Sequence, residues 1–506
     1  MNIVCELPVL RSLGMKHLCN RLTYYQSLSS LGKSEQLSAV SHELGFFKNV
    51  GVSAHYSLST VVTLPDLQSI IYAALTQVIH RNSILSAVPI NELSPSAYFV
   101  RLQSFDLRSC VLFKTRASSI EQRNQDLELD TILQEEHNAD FKPSNGPLPF
   151  WRLTILQDTG EEKGCGFTAS FVFHHSLGDG ATGVIFHQSF HQALENALML
   201  PSLESSSPKI QVSESLTVLP PLEDLHPLPL NPNPAHHRTS GEKLEEWTGN
   251  PIQLPMMSHY RTLFFSPIAS AKFARECKEN GLTVTSGLTA VLASALFEQL
   301  PDTVHALTGI IPINLRQWLS LRHNCTSTNE AMGSFIDALK VQIRREHCSF
   351  PTDSDGHTGA TCGLAAARHT AETLKEYMGN KSPSGEPYTS VAAFKGIHDI
   401  AAVFKSMVNA PRDAAFEISN LGRFLPSPSP SFDVPDGACE GRCRIGRMTF
   451  SRSAVGFGAA ITTSVMMGND GGLSVGWSWQ EGVVERKLVE SVMEGFRKGV
   501  EGGVYV

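Results

Sequence analysis

A chain of 506 residues, 42% hydrophobic and 18% charged, has the composition of a soluble globular protein and exceeds what one core usually supports, so two domains are expected. The formal net charge of −8 gives no global attraction for nucleic acid or anionic lipid. Ten cysteines without paired spacing point to reduced thiols in a cytoplasmic setting, and Cys439 and Cys443 lack a companion pair at zinc-site spacing.

No apolar run reaches membrane-spanning length, and the N-terminus has no signal-peptide core. Leu7, Leu10, Leu13, Leu18 and Leu22 lie among basic residues; they either pack on the protein, the favoured reading, or rest peripherally on a membrane surface. Leu67, Ile70, Ile71, Ala74, Leu75, Val78 and Ile79 recur at helical spacing behind Pro65, which predicts a helix over 65–80 and a short strand over 84–88. Residues 166–173 alternate Phe and Ala with Thr, Ser and Val as a buried strand does, and 181–198 reads as a helix. The first domain thus covers 1–200.

From 201 to 257 the composition shifts to Ser, Pro, Asn and His, so an extended crossover linker on the surface is expected. The second domain, 258–506, opens with a strand over 260–265. A helix over 267–280 is stopped by Gly281, and another over 286–300 has Thr285 as its candidate cap. An apolar strand follows over 305–314. Residues 349–363 and 426–436 read as polar insertions. The segments 461–465 and 473–479 flank a Gly-rich turn as a hairpin, and apolar residues from Leu488 to Val500 mark a closing helix. The Gly-rich turn lacks the strand–helix order of a dinucleotide site.

The segment HHSLGDG, 174–180, carries the most information. It places His175 at the end of a rigid strand, with Asp179 four residues on in a turn bounded by Gly178 and Gly180. An imidazole held there is suited to general-base work, with Asp179 as its candidate catalytic companion. A satisfied structural histidine is the bland alternative. His174 and His175 would point to opposite faces of a strand, so they are not expected to grip one ion, and no metal site is expected.

HHxxxDG followed by an apolar helix resembles the active-site signature of the acetyl-CoA-dependent acyltransferase superfamily. That superfamily includes chloramphenicol acetyltransferase, plant BAHD acyltransferases, condensation domains and fungal alcohol O-acetyltransferases. Residues 44–57 (LGFFKNVGVSAHYS), 147–153 (PLPFWRL), 311–316 (IPINLR) and 418–422 (ISNLG) resemble further segments of the fungal group in the same order. The plant-type DFGWG segment is absent near Gly456-Phe457-Gly458, which favours the fungal branch.

The resemblance implies an α/β fold of two chloramphenicol-acetyltransferase-like domains, mixed sheets flanked by helices, with an active-site tunnel between them. It implies a monomer with no bound cofactor, using acetyl-CoA or another acyl-CoA as co-substrate and a small-molecule alcohol as acceptor. His175 would be the base, Ser419 and Asn420 would line the substrate or oxyanion site, and Gly180 would support the loop. Arg316 would hold Asp179 away from the reacting centre. An N-acyltransferase or condensation-type enzyme, and a binding protein that keeps the fold without turnover, are the alternatives.

Overall fold

The computed structural model describes residues 25–59, 62–117, 125–142, 144, 146–158, 166–199, 207–215, 217–232, 244–320, 328–348, 363–426 and 442–502. The N-terminal leucines, Cys439 and nearly all of both polar insertions lie outside the described residues. Two mixed sheets organise the rest. Their strands are β1 (Asn49–Leu58), β2 (Val111–Thr115), β3 (Trp151–Gln157) and β4 (Gly166–His174) from the first half. The second half supplies β5 (Ser258–Phe265), β6 (Ala306–Asn314), β7 (Ile336–Arg344), β8 (Ala414–Arg423), β9 (Cys443–Arg452), β10 (Ala459–Met467) and β11 (Leu473–Gln480).

The first sheet runs β9-β1-β4-β3-β2, and the second β5-β11-β10-β8-β6-β7. Most neighbours are antiparallel; β2–β3, β6–β8 and β8–β10 are parallel. The central strand β4 is buried along its whole length. Phe167, Phe171 and Phe173 are each at most 1% exposed, worth roughly 1.5–3 kcal/mol apiece against leaving them in water. This anchors β4 in the first sheet and leaves its end, His174, at a fixed place.

Helices cover the sheets as the apolar spacing dictates. α1 (Lys33–Glu43), α2 (Leu64–Arg81), α3 (Leu127–Asn138) and α4 (Gly180–Leu198) belong to the first half; α5 (Pro267–Glu279), α6 (Val284–Phe297) and α7 (Arg486–Gly502) to the second. In α2 and α7 the buried residues are those the periodicity selects, with Thr63 capping α2. The hairpin of β10 and β11 pairs Ile461 with Trp479 and Met467 with Leu473. Gly281, at φ +70°, follows the end of α5.

Three local expectations differ from what is found. The cap of the next helix is Thr283, whose hydroxyl accepts the Ser286 amide at 3.1 Å; Thr285 is already helical. The segment expected as a strand over 84–88 is a 3₁₀ turn over Ser83–Ser86 followed by a strand over Ala87–Ile90. Parts of the Pro-rich segment are packed, while others such as Leu230 and Met257 are exposed. Lys209–Gln211 pairs with Ser104–Asp106, and Leu222, Leu225 and Leu228 are buried with Leu315, Leu319 and Phe335. Prolines there space the leucines without preventing their burial.

Two apolar cores follow the two sheets, but the second half also enters the first sheet. Strand β9 pairs with β1, setting Phe450 opposite Val52. The main chain of β9 meanwhile accepts hydroxyl bonds from Ser474 at Met448 O (2.7 Å) and from Ser478 at Arg452 O (2.6 Å). Among the described residues no single helix is long and apolar enough to cross a membrane.

Candidate active site

After His174 the chain makes one 3₁₀ turn, His175–Leu177, and α4 begins at Gly180 with Asp179 as its N-cap. Both glycines of the motif are required by close approach. A Cβ on Gly178 would lie 2.1 Å from the Thr182 hydroxyl oxygen, and one on Gly180 2.8 Å from Leu421. Gly180 therefore lets the Ser-Asn-Leu-Gly segment, at the end of β8, come down on the loop that carries the imidazole.

Asp179 turns away from His175. Its Oδ1 accepts the amides of Ala181 (3.1 Å) and Thr182 (3.3 Å), and its Oδ2 accepts that of Phe335 (3.0 Å). Arg316 grips it as a fork, Nη1 to Oδ2 at 2.7 Å and Nη2 to Oδ1 at 2.9 Å, with both side chains buried. The remaining guanidinium donors reach Ala331 O (3.0 Å), Gly333 O (2.9 Å) and Asn314 Oδ1 (3.3 Å). Every N–H of Arg316 is thus used, and the loop is tied to the second half.

His175 lines a cavity of about 650 Å³, to which both halves contribute. Phe47 meets its ring edge-on at 5.1 Å. Its Nδ1 is buried and has no hydrogen-bond partner among the described residues. The ring's exposed edge meets the cavity instead of bulk water, and this burial depresses its pKa to about 4. Its own backbone and Asp179 oppose the shift, while Arg452 and His174 add to it. The imidazole is neutral at any pH near 7.

Across the cavity, β8 presents Ser419 and Asn420. Asn420 is committed: its Oδ1 accepts the Gly422 amide (2.8 Å) and its Nδ2 donates to Thr285 (3.1 Å). The Ser419 hydroxyl faces the cavity with no side-chain bond among the described residues. Two further groups escaped the sequence reading. Glu417 and Arg452 form a buried ion pair on the same wall, with Arg452 also bonded to Ser464 and to the Thr463 carbonyl. Glu417 stands two residues before Ser419, and the period of two on a strand was the available signal. Elsewhere, buried Cys110 and Cys443 have thiols raised by burial, which makes them poor nucleophiles.

Residues 119–499 match the model of the alcohol acetyltransferase family. The chain belongs to that family. A probable alcohol acetyltransferase of Aspergillus fumigatus, crmB, is 44% identical over 480 residues, 93% of this chain and 99% of the relative. Among solved structures, the trichothecene 15-O-acetyltransferase TRI3 of Fusarium sporotrichioides superposes with TM-score 0.66 at 12% identity, covering 96% of this chain and 98% of that one. The starter condensation domain of rhizomide synthetase, solved with C8-CoA, gives TM-score 0.56 at 10% identity over 96% of each chain. This alcohol acetyltransferase relative is therefore an acyltransferase, built on the α/β fold shared with the two-domain acyltransferases.

Proposed function

We propose that the enzyme transfers the acyl group of an acyl-CoA, acetyl-CoA in the first instance, to the hydroxyl of a small-molecule alcohol, with His175 as general base. The observation that carries this reading is a neutral imidazole and the Ser419 hydroxyl on the wall of the same cavity. The thioester carbonyl is already activated, so the useful work is to take the alcohol's proton as its oxygen attacks. The cavity-facing nitrogen of His175 accepts that proton. The tetrahedral oxyanion takes a hydrogen bond from Ser419. Its collapse expels the CoA thiolate, which recovers the proton from the imidazolium, leaving ester and free CoA with no acyl-enzyme.

Asp179 serves this reading by position, because its oxygens are spent on Arg316 and main-chain amides and none is bonded to the ring. A cavity of about 650 Å³ suits a drug-sized acceptor with its acyl donor arm better than a short volatile alcohol alone. Apolar side chains such as Ile310, Ile313, Phe450 and Phe457 on its wall favour an acceptor with a hydrocarbon body. The test is thiol release from acetyl-CoA with matched alcohols and amines. Alcohol-dependent release, abolished in His175→Ala, is expected. Release with amines alone would move the enzyme to the N-acylating class, and release with neither at any acyl length would sink the reading.

A further inference from the structure

Behind the base, outside the cavity, His42, Glu92 and His174 form a buried cluster whose ligand-capable atoms lie within 4.8 Å of one another. His42 sits in the last turn of α1, Glu92 in the turn after Ala87–Ile90, and His174 at the end of β4. His42 Nδ1, Glu92 Oε2 and His174 Nε2 have no regular hydrogen-bond partner among the described residues, and the His174 to Glu92 approach is 3.6 Å. Orphaned polar atoms in a dry place are costly, so three together call for a common solution. A cation between them is one solution. A carboxylate between two ring N–H groups is the other.

Donor roles decide between these. A main-chain N–H can only donate. The Ser176 amide donates to His174 Nδ1 at 3.1 Å, and the Phe141 amide donates to His42 Nε2 at 3.3 Å. Both outward nitrogens therefore carry lone pairs, and a neutral imidazole has only one of those. The protons lie on His174 Nε2 and His42 Nδ1. A metal-binding imidazole needs the reverse arrangement, its lone pair on the ion and its N–H given away behind. Burial, the His174 ring and the nearby Lys48 and Lys142 hold His42 far below the ordinary imidazole range, so it stays neutral.

We infer that Glu92 is a positioning residue for the base: its carboxylate faces the ring N–H of His174 at 3.6 Å and lies within 4.8 Å of a His42 ring nitrogen, and this attraction fixes the turn on which His175 sits. The inference rests on the reading of His175 given above. The route is short. His174 Nδ1 takes both the amide and the hydroxyl of Ser176, the latter at 2.7 Å, and Ser176 directly follows His175. The His42 ring backs His174 with centroids 4.2 Å apart. Glutamine at 92 could accept one N–H, but its amide group would set donor against donor at the other.

The full-length chain labelled with ¹⁵N-histidine, alone and as Glu92→Gln, tests this by long-range ¹H–¹⁵N correlation. The Nε2–H tautomer at His174 and the Nδ1–H tautomer at His42 are expected, both perturbed in Glu92→Gln. With acetyl-CoA and a turned-over alcohol, Glu92→Gln should lower kcat roughly 10- to 100-fold and leave the KM for acetyl-CoA within about twofold, the scale of a misplaced catalytic group. Three results would overturn the proposal: the opposite tautomers, about one equivalent of zinc surviving dialysis and lost in Glu92→Gln, or a kcat that falls only with the folded fraction. A wild-type enzyme silent with every acceptor would sink the functional reading instead. The tautomers and metal content would still decide the cluster.

Discussion

The two ends of one short loop are built on opposite plans. At Asp179 every polar atom is spent: the carboxylate takes a bidentate guanidinium and three amides, and Arg316 gives away all its donors. Four residues earlier, His175 has a ring nitrogen with no hydrogen-bond partner among the described residues and lines the same cavity as Ser419, whose hydroxyl has no side-chain bond among them. Saturated groups have no capacity left for a substrate, and they hold shape. Groups with spare hydrogen-bonding capacity are where a reacting atom can be received. On the proposed mechanism the HHxxxDG motif contains a reactive end and a structural end, and substitutions at each should fail differently.

The largest effect belongs to the reactive end. His175→Ala should stay folded while acyl transfer falls roughly 10²-fold or more, the usual scale for a lost general base. Steady-state kinetics beside a thermal melt will check this. Turnover near wild type in that variant would erase the contrast, because neither end of the loop would then be chemical.

At the structural end, Asp179→Asn should lower stability by ~3–5 kcal/mol, since Arg316 is left buried without its counter-charge. Arg316→Lys should not restore it, because a single ammonium cannot reproduce a fork that spans two carboxylate oxygens. Denaturant melts of the two single variants and the double variant give the coupling. If Asp179→Asn melts like wild type yet loses activity as His175→Ala does, Asp179 belongs with the reactive end.

Within the reactive end, Ser419 and Asn420 sharpen the same distinction. Ser419→Ala should lower kcat roughly 10²-fold with an unchanged melt, as loss of one oxyanion donor does. Asn420→Ala removes bonds to Gly422 and Thr285 and should cost about 1 kcal/mol of stability before it touches the rate. Equal kinetic losses at the two positions would show that Asn420 also meets the substrate.

How much of this was legible follows from how local each feature is. The strand into His175, its turn and helix α4 are contiguous in sequence, so period and glycine placement suffice to expect them. The pairing of Asp179 with Arg316 spans 137 residues and was reached only through resemblance to a family. No periodic signal announces that β9, nearly four hundred residues after β1, completes the first sheet. The leucines at 222, 225 and 228 looked like linker because prolines hide their apolar face, yet they are buried. The sequence pattern puts the cap at Thr285, two residues late, and the Thr285 hydroxyl instead helps hold Asn420. Glu92 was invisible because an acidic residue in a turn is ordinarily solvated.

The pH dependence separates activity from folding. His175 and His187, each depressed to about 4, are neutral when folded, while an unfolded histidine titrates near ~6.5. The unfolded chain binds more protons between those values. The contribution of these groups is therefore fully present above about 6.5 and is lost as pH falls toward 4. Glu35 has the opposite sign. Burial raises it to about 8, with Glu223 adding to the shift, against the bond its Oε2 accepts from the Gly32 amide at 2.6 Å. Its contribution is full below about 4.5 and lost as pH rises to about 8. The melting temperature should therefore pass through a maximum at about pH 5 to 7. Glu35→Gln keeps an acceptor for Gly32 without a charge to bury, so it should raise the melting temperature at pH 9 and leave it nearly unchanged at pH 5. Because the base is already neutral well below the unfolded histidine range, acid-side loss of activity should track unfolding and not a titration of turnover. A kcat/KM that halves near pH 6.5 in fully folded enzyme would mean that the cavity leaves His175 as wet as any surface histidine.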